Sequence, residues 1–126
     1  MKKLKVLAVD DDFINLKLIH SMLKKMDYVS SVVEANNGLD ALTILNQNSD
    51  IDLVLLDIKM PVMNGIEFLA NMRSQSTLKN IPVIVLTTDE TKKQEAFENG
   101  AYDFLVKPIR EHELNQKIQR VTELAI

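Results

Sequence analysis

Apolar residues fall into five short blocks along the chain, with helical spacing between them. "VLAV" at 6–9, "LVLL" at 53–56 and "VIVL" at 83–86 are apolar at successive positions rather than at alternate ones. A strand with one wet face alternates; a strand covered on both faces does not, and double cover is typical of parallel sheets. Strands are predicted at 4–9, 31–35, 53–57, 83–87 and 104–106, and helices at 13–26, 38–47, 65–74, 91–99 and 110–123. Asn37-Gly38 and Asn64-Gly65 punctuate the entries to the second and third helices, and Asn99-Gly100 closes the fourth. Five strand–helix units in this order predict an α/β domain with a doubly wound, five-stranded parallel sheet. A ligand of such a sheet sits beyond the carboxyl ends of the strands, where the strand order switches.

The first helix departs from the simple pattern. Ile14, Leu16, Leu18, Ile19, Met22, Leu23 and Met26 spread over roughly 200° of a helical wheel, against the ~100° stripe a core-facing helix needs. Either the helix is deeply covered, or one margin of the arc is exposed for a partner.

Composition narrows the class without naming a function. The chain has 126 residues, 46% of them apolar and 26% charged, which suits one folded domain with a real core. A net charge of -3 advertises no basic surface for nucleic acid or anionic lipid. There is no cysteine, hence no disulfide framework and no zinc thiolate. No apolar run approaches the ~20 residues of a membrane span, and a strand begins too near the N-terminus for a signal peptide. These features suit a cytoplasmic protein with neither membrane nor nucleic acid as a partner.

The chemistry gathers at the predicted strand ends. The first strand runs into Asp10, Asp11 and Asp12; the third ends in Asp57; the fourth in Thr87 and Thr88; the fifth in Lys107-Pro108. A parallel sheet brings all of these to one edge. Carboxylates packed together repel, and burial raises the cost. Asp12, ahead of "FINLKLI", is a good helix cap. The other two point to a divalent cation, which removes the repulsion and prefers oxygen ligands. Carboxylates holding a cation, a lysine and a threonine hydroxyl suit phosphoryl transfer. A carboxylate can also be the nucleophile and give an acyl phosphate. Asp57 is the best placed for that, alone on the middle strand between the acidic pair and the lysine. His20 and His112 read as ordinary polar-face residues.

"VDDD", "LLDIKMPVMNG", "PVIVLTT" and "DFLVKP" resemble, in order, the signature segments of response-regulator receiver domains. The resemblance covers the whole chain and implies a flavodoxin-like (βα)5 fold, with 1–126 a single receiver and no effector domain. It implies that Asp57 is the phosphoacceptor. Asp11, Asp57 and the Lys59 main-chain carbonyl would ligate Mg²⁺, for which Mn²⁺ can substitute, and Asp10 would act through water. Thr87 and Lys107 would bind the phosphoryl group, Thr87 and Phe104 would form the switch, and the Lys107–Pro108 bond would be cis. On phosphorylation Thr87 would move toward the phosphoryl oxygens and Phe104 would turn inward. The implied donor is a sensor histidine kinase or a histidine phosphotransfer protein, docking on Ile14, Asn15 and Leu18, and the output face is the fourth helix, fifth strand and fifth helix.

"DDDFIN", "VEANNGLDAL" and "DIKMPVMNG" lean toward phosphorelay and hybrid-kinase receivers. Two positions depart from the common pattern. Many receivers carry alanine or glycine where this chain has Thr88, and Phe104 replaces a tyrosine, so a switch there cannot use a phenolic hydroxyl. Lys59 and Asp89 are expected to bridge the mouth of the site and, with Thr88, to lengthen the life of the phosphorylated state. A Mg²⁺-dependent aspartate-nucleophile phosphatase competes as a reading, but such enzymes place an acid/base aspartate where this chain has Lys59. A pseudo-receiver acting only as an interaction module competes as well, against retention of all the site residues. The expectation is a switch, not a turnover enzyme.

Overall fold

The computed structural model describes residues 3–60 and 62–124. Pro61 of "DIKMPVMNG" and the chain ends lie outside the described residues. In chain order the elements are β1 (Leu4–Val9), α1 (Phe13–Lys24), β2 (Val29–Ala35), α2 (Gly38–Gln47), β3 (Leu53–Leu56), α3 (Gly65–Ser74), β4 (Val83–Thr87), α4 (Lys93–Glu98), β5 (Asp103–Val106) and α5 (Glu111–Leu124), with a 3-10 turn at Glu90–Lys92.

All five strands pair in parallel, in the order β2-β1-β3-β4-β5. From β1 the chain winds first to β2 on one side and then to β3 on the other, so the order switches between β1 and β3. The fold class expected from the apolar blocks is therefore the one observed.

The double cover is visible in the core. Leu7, Val9, Val54, Leu56 and Val85 point to one layer with Phe68 and Leu69 of α3 and Ala41 of α2. Val6, Ala8, Leu53, Leu55, Ile84 and Leu86 point to the other, against Leu16, Ile19 and Leu23 of α1 and Leu114 and Ile118 of α5. Burying one leucine-sized side chain is worth about 1.5–3 kcal/mol, so these two layers are the main source of stability.

Element limits differ from the sequence reading by a single residue at the start of β5 and at each end of α5, and more tellingly in four other places. The helix predicted at 13–26 ends at Lys24, and Met26 packs into the core from the following turn. The strand predicted from 31 starts at Val29; the register shifts between Leu4 and Lys5, and the Ser30 hydroxyl donates to the Leu4 carbonyl at 3.0 Å. That irregularity breaks the apolar pattern on which the prediction relied. The strand predicted through 57 ends at Leu56, leaving Asp57 just past it. The helix predicted at 91–99 is a 3-10 turn followed by only six α-helical residues.

Candidate functional site

Backbone bonds set the two central carboxylates in place. The Asp10 amide donates to the Ala35 carbonyl at 3.1 Å, and the Asp57 amide to the Val9 carbonyl at 2.9 Å. Each extends a strand ladder by one residue, so both aspartates leave the sheet at a fixed height beside the topological switch. Asp11 joins them: one carboxylate oxygen from each of Asp10, Asp11 and Asp57 lies within 4.8 Å of the others. Three hard oxygen donors so close fit a divalent cation, and they repel one another without one.

The three are not equivalent. Asp10 is 1% exposed and Asp57 8%, whereas Asp11 is open to solvent. Asp10 Oδ1 accepts the Asp12 amide at 2.9 Å, and Asp10 Oδ2 accepts the Lys107 ammonium at 2.9 Å. Both its oxygens are thus engaged within the protein. Lys107 Nζ also lies 3.8 Å from Asp57 Oδ2. The Asp57 carboxyl is raised to about 6 in all: burial raises it most, Lys107 lowers it, Asp10 and Asp11 raise it, and a bond from the Ile58 amide lowers it. Asp12 turns away and caps α1, accepting the Ile14 amide at 2.9 Å.

The neighbouring strands supply the rest. Thr87 is 1% exposed at the end of β4, and its hydroxyl accepts the Asp89 amide at 3.2 Å. The Lys107 amide donates to the Thr87 carbonyl at 2.8 Å, which ties the ends of β4 and β5 together. The Lys107–Pro108 peptide bond is cis. Asp11 and Lys59 line a groove of about 600 Å³ that runs between the segment after β3 and α4.

Two expectations about this region need correcting. Lys59 and Asp89 form no ion pair. The Asp89 carboxylate instead caps the 3-10 turn, accepting the Thr91 amide at 3.0 Å and the Thr91 hydroxyl. Those two bonds hold Asp89 below the usual carboxylate range, with Lys59 adding only a weaker pull from a distance. A local cap is made at almost no entropic cost, whereas a bridge between two mobile side chains must fix both. The second correction concerns Phe104. Its ring is already inside, 7% exposed, in the core layer that holds Val85, Ala96 and Ala101. An outward-to-inward turn is not available from this conformation.

Glycine contributes here in a way its sequence context hid. A Cβ on Gly65 would stand 2.6 Å from the Asp57 carbonyl oxygen, so only glycine lets α3 start directly on the acceptor's own backbone. The α3 entry is sealed by a capping box between Asn64 and Glu67. Val62, between them and Asp57, has φ 71°. No sequence signal marks that, because β-branched residues rarely adopt positive φ.

On α1, Leu16, Ile19 and Leu23 are buried while Phe13, Ile14 and Leu18 are 63%, 67% and 53% exposed. The wide apolar arc thus has one margin in solvent. Asn15 and Leu18 line a small groove of about 130 Å³ with Lys107, Pro108 and Ile109. His20 Nδ1 lies 3.4 Å from the Glu34 carboxylate, and His112 is exposed on α5.

A switch-point cluster of three aspartates, a threonine and a lysine defines a class: residues 6–119 match the model of the response regulator receiver domain, and the chain belongs to that family. It is 40% identical over 124 residues to a two-component response regulator-like protein, APRR3, of Arabidopsis thaliana, of whose length it spans 25%. Among solved structures it is similar to the chemotaxis protein CheY4 of Vibrio cholerae, at 37% identity and a TM-score of 0.84 over 94% of this chain and 98% of that one. It is also similar to the receiver domain of the sensor histidine kinase PA1611 from Pseudomonas aeruginosa, described with a magnesium ion coordinated in its active-site cleft, at 26% identity and a TM-score of 0.83 over 94% of this chain and 96% of that one.

Proposed function

We propose that this chain is a phosphorylation-operated switch of two-component signalling, with Asp57 as the acceptor. A carboxylate oxygen of Asp57 attacks the phosphorus of a phosphohistidine on a sensor kinase or phosphotransfer protein. The P–N bond breaks, its electron pair returns to the imidazole, and an acyl phosphate remains on Asp57. The observation that carries this reading is the cluster of Asp10, Asp11 and Asp57 with Lys107 against two of them, at the switch in strand order.

Asp11, Asp57 and the Lys59 carbonyl would hold the cation, and Asp10, with both oxygens occupied, would reach it through water. Bound Mg²⁺, or Mn²⁺ in its place, would neutralise the acidic cluster and the incoming phosphoryl oxygens. The Lys107 ammonium supplies a positive charge from the opposite side, and the Thr87 hydroxyl a donor, since accepting the Asp89 amide does not use its O–H. Thr87 and Phe104 sit on neighbouring strands, which couples the site to the face of α4, β5 and α5. Phe104, already packed inside, would act as part of that wall rather than as a swinging ring. The exposed Phe13, Ile14 and Leu18 suit docking of a histidine-bearing helix. With no Lys59–Asp89 bridge, any lengthening of the phosphorylated lifetime falls to Thr88 and to Lys59 alone. Turnover of free phosphate esters is not part of this function, and the cytoplasm is the compartment it requires.

The test is labelling with acetyl phosphate in the presence and absence of Mg²⁺, read by intact mass. One acyl phosphate is expected on the wild type, only with the cation, and none on Asp57→Asn. Labelling of Asp57→Asn at the wild-type rate would overturn the assignment.

A further inference from the structure

The turn from Val62 to Asn64, ahead of α3, carries a feature that the receiver assignment does not explain. Val62 sits at φ 71° and is 76% exposed. A left-handed backbone costs an L-residue free energy, most of all a β-branched one. Burial normally offsets such a cost, but a side chain in solvent has no packing to do so. Something else must hold this turn.

The neighbouring contact is the candidate. The first residue of α2, Gly38, donates its amide to the Met63 carbonyl at 3.3 Å, one residue after the strained valine. The approach is close: a Cβ on Gly38 would meet the Met63 carbonyl oxygen at 2.8 Å and Met63 Cγ at 3.0 Å. The nearest of these atoms is backbone, which cannot swing aside. Gly38 itself is not at positive φ, so its own conformation does not demand glycine. Alanine in a helix is otherwise better than glycine. The absence of a side chain is therefore needed for the contact alone.

We infer that Gly38 is a positioning residue for the turn that follows the acceptor: its amide, brought into contact by the missing Cβ, braces the Met63 carbonyl and keeps Val62 to Asn64 in place against the strain at Val62. The next residue, Gly65, donates its amide to the Ile58 carbonyl at 2.9 Å, beside the Lys59 carbonyl assigned to the cation. α2, which supplies none of the site's side chains, thus helps to fix its geometry. The metal arm of this inference rests on the proposed function; the brace itself does not.

Two measurements separate them. In metal-free protein, amide hydrogen exchange by NMR reads the brace directly: Gly38→Ala should speed exchange of the Gly65 amide. Val62→Asn removes the strain with a residue that tolerates the left-handed region, and should slow exchange of the Gly38 amide about five-fold. It is expected to fold at least as well as the wild type, so the test survives if Gly38→Ala does not fold. In the second arm, Mg²⁺ titrations should show Gly38→Ala binding about ten-fold more weakly, the usual scale for a group that supports ligands without touching the metal. Adding Val62→Asn to Gly38→Ala should restore part of that loss. A Gly38→Ala protein that melts lower but exchanges Gly65 and binds Mg²⁺ like the wild type would overturn the inference. So would Val62→Asn with unchanged or faster Gly38 exchange. A wild type that binds no Mg²⁺ would sink the proposed function and leave the exchange arm to decide the brace.

Discussion

Helices α1 and α4 both start at the carboxyl edge of the sheet, and they are built to opposite standards. α1 has 12 residues, a side-chain cap from Asp12, and Leu16, Ile19 and Leu23 buried beneath it. α4 has six residues, begins at Lys93 behind a Lys92 that makes no side-chain cap, and buries only Ala96. A cap is worth about 1 kcal/mol and each leucine burial about 1.5–3 kcal/mol, so α1 is held several-fold more strongly than α4. Helices this short do not persist on their own propensity. α4 is retained chiefly at its far end, where the amides of Asn99, Gly100 and Ala101 fold back on its carbonyls and Arg73 Nη1 donates to Glu98 O at 2.6 Å. One wall of the site is therefore fixed and the other lightly seated. On the proposed function, a change at Asp57 and Thr87 should meet least resistance toward α4, whose burial is the smaller of the two.

The contrast breaks most visibly in the core. Leu23→Ala, at a side chain with 0% exposure, should cost about 2–5 kcal/mol in urea denaturation. Ala96→Gly, at the buried contact of α4, should cost only about 1 kcal/mol. Equal costs would mean that the two helices are not held differently.

Between the two walls, the acceptor itself should be a source of instability when no cation is bound. The Asp57 carboxyl rises from 3.8 to about 6 on folding, chiefly through burial. A raised carboxyl favours the folded state where it is protonated, and that contribution is lost as pH climbs through the folded value. Metal-free protein should thus be more stable near pH 5 than near pH 7. Asp57→Asn should stabilise the metal-free protein at pH 7 by about 2–3 kcal/mol and flatten its pH dependence across that window. Chemical denaturation at both pH values checks this; a variant no more stable than the wild type at pH 7 would mean that Asp57 carries no such burial penalty. Asp89 shifts the other way, and its effect belongs to more acidic solution.

The fixed parts of the molecule were legible in the sequence and the lightly held parts were not, for one physical reason. Strands covered on both faces leave unbroken apolar runs, so β1, β3 and β4 could be read directly, along with the aspartates and threonine at their ends. Asp12 could be read as a cap because the capping bond is local. The segment that became a 3-10 turn and a short α4 has helical spacing but too little buried surface to make one continuous helix. The Lys59–Asp89 bridge was plausible from charge and position, yet the bond that won was between Asp89 and Thr91, two residues away. The place of Phe104 depended on packing from α4 and the turn after it, which no local pattern encodes. The strained Val62 and the contact at Gly38 are long-range events between loops, invisible until the sheet brings them together.

A smaller effect sharpens the comparison at the helix starts. Asp12→Ala removes the one side-chain bond that caps α1 and should cost about 1 kcal/mol of global stability. Lys92→Ala, at the matching position of α4, removes no cap and should change stability by less than about 0.5 kcal/mol. Denaturation curves on the two variants side by side test this. A loss in Lys92→Ala as large as in Asp12→Ala would show that α4 is anchored at its start after all.

The smallest effect isolates what does anchor α4. Arg73 reaches from the last turn of α3 to the Glu98 carbonyl, and its Cδ lies 3.8 Å from where a Cβ on Gly100 would stand. Gly100 has φ 103°, a conformation open to glycine and costly for other residues, so the turn after α4 is already shaped to receive that arginine stem. Arg73→Met keeps much of the stem and deletes the donor. A single exposed hydrogen bond nets about 0.5–1.5 kcal/mol, which is near the limit of denaturation measurements. Local opening is the more sensitive readout. In Arg73→Met the amides of Asn99, Gly100 and Ala101 should exchange about five-fold faster, the equivalent of about 1 kcal/mol. The amides of α1 should not change, because no part of that helix depends on the bond. Faster exchange in both helices would mean that α1 and α4 open together, and the division of the site into a fixed and a lightly seated wall would fall.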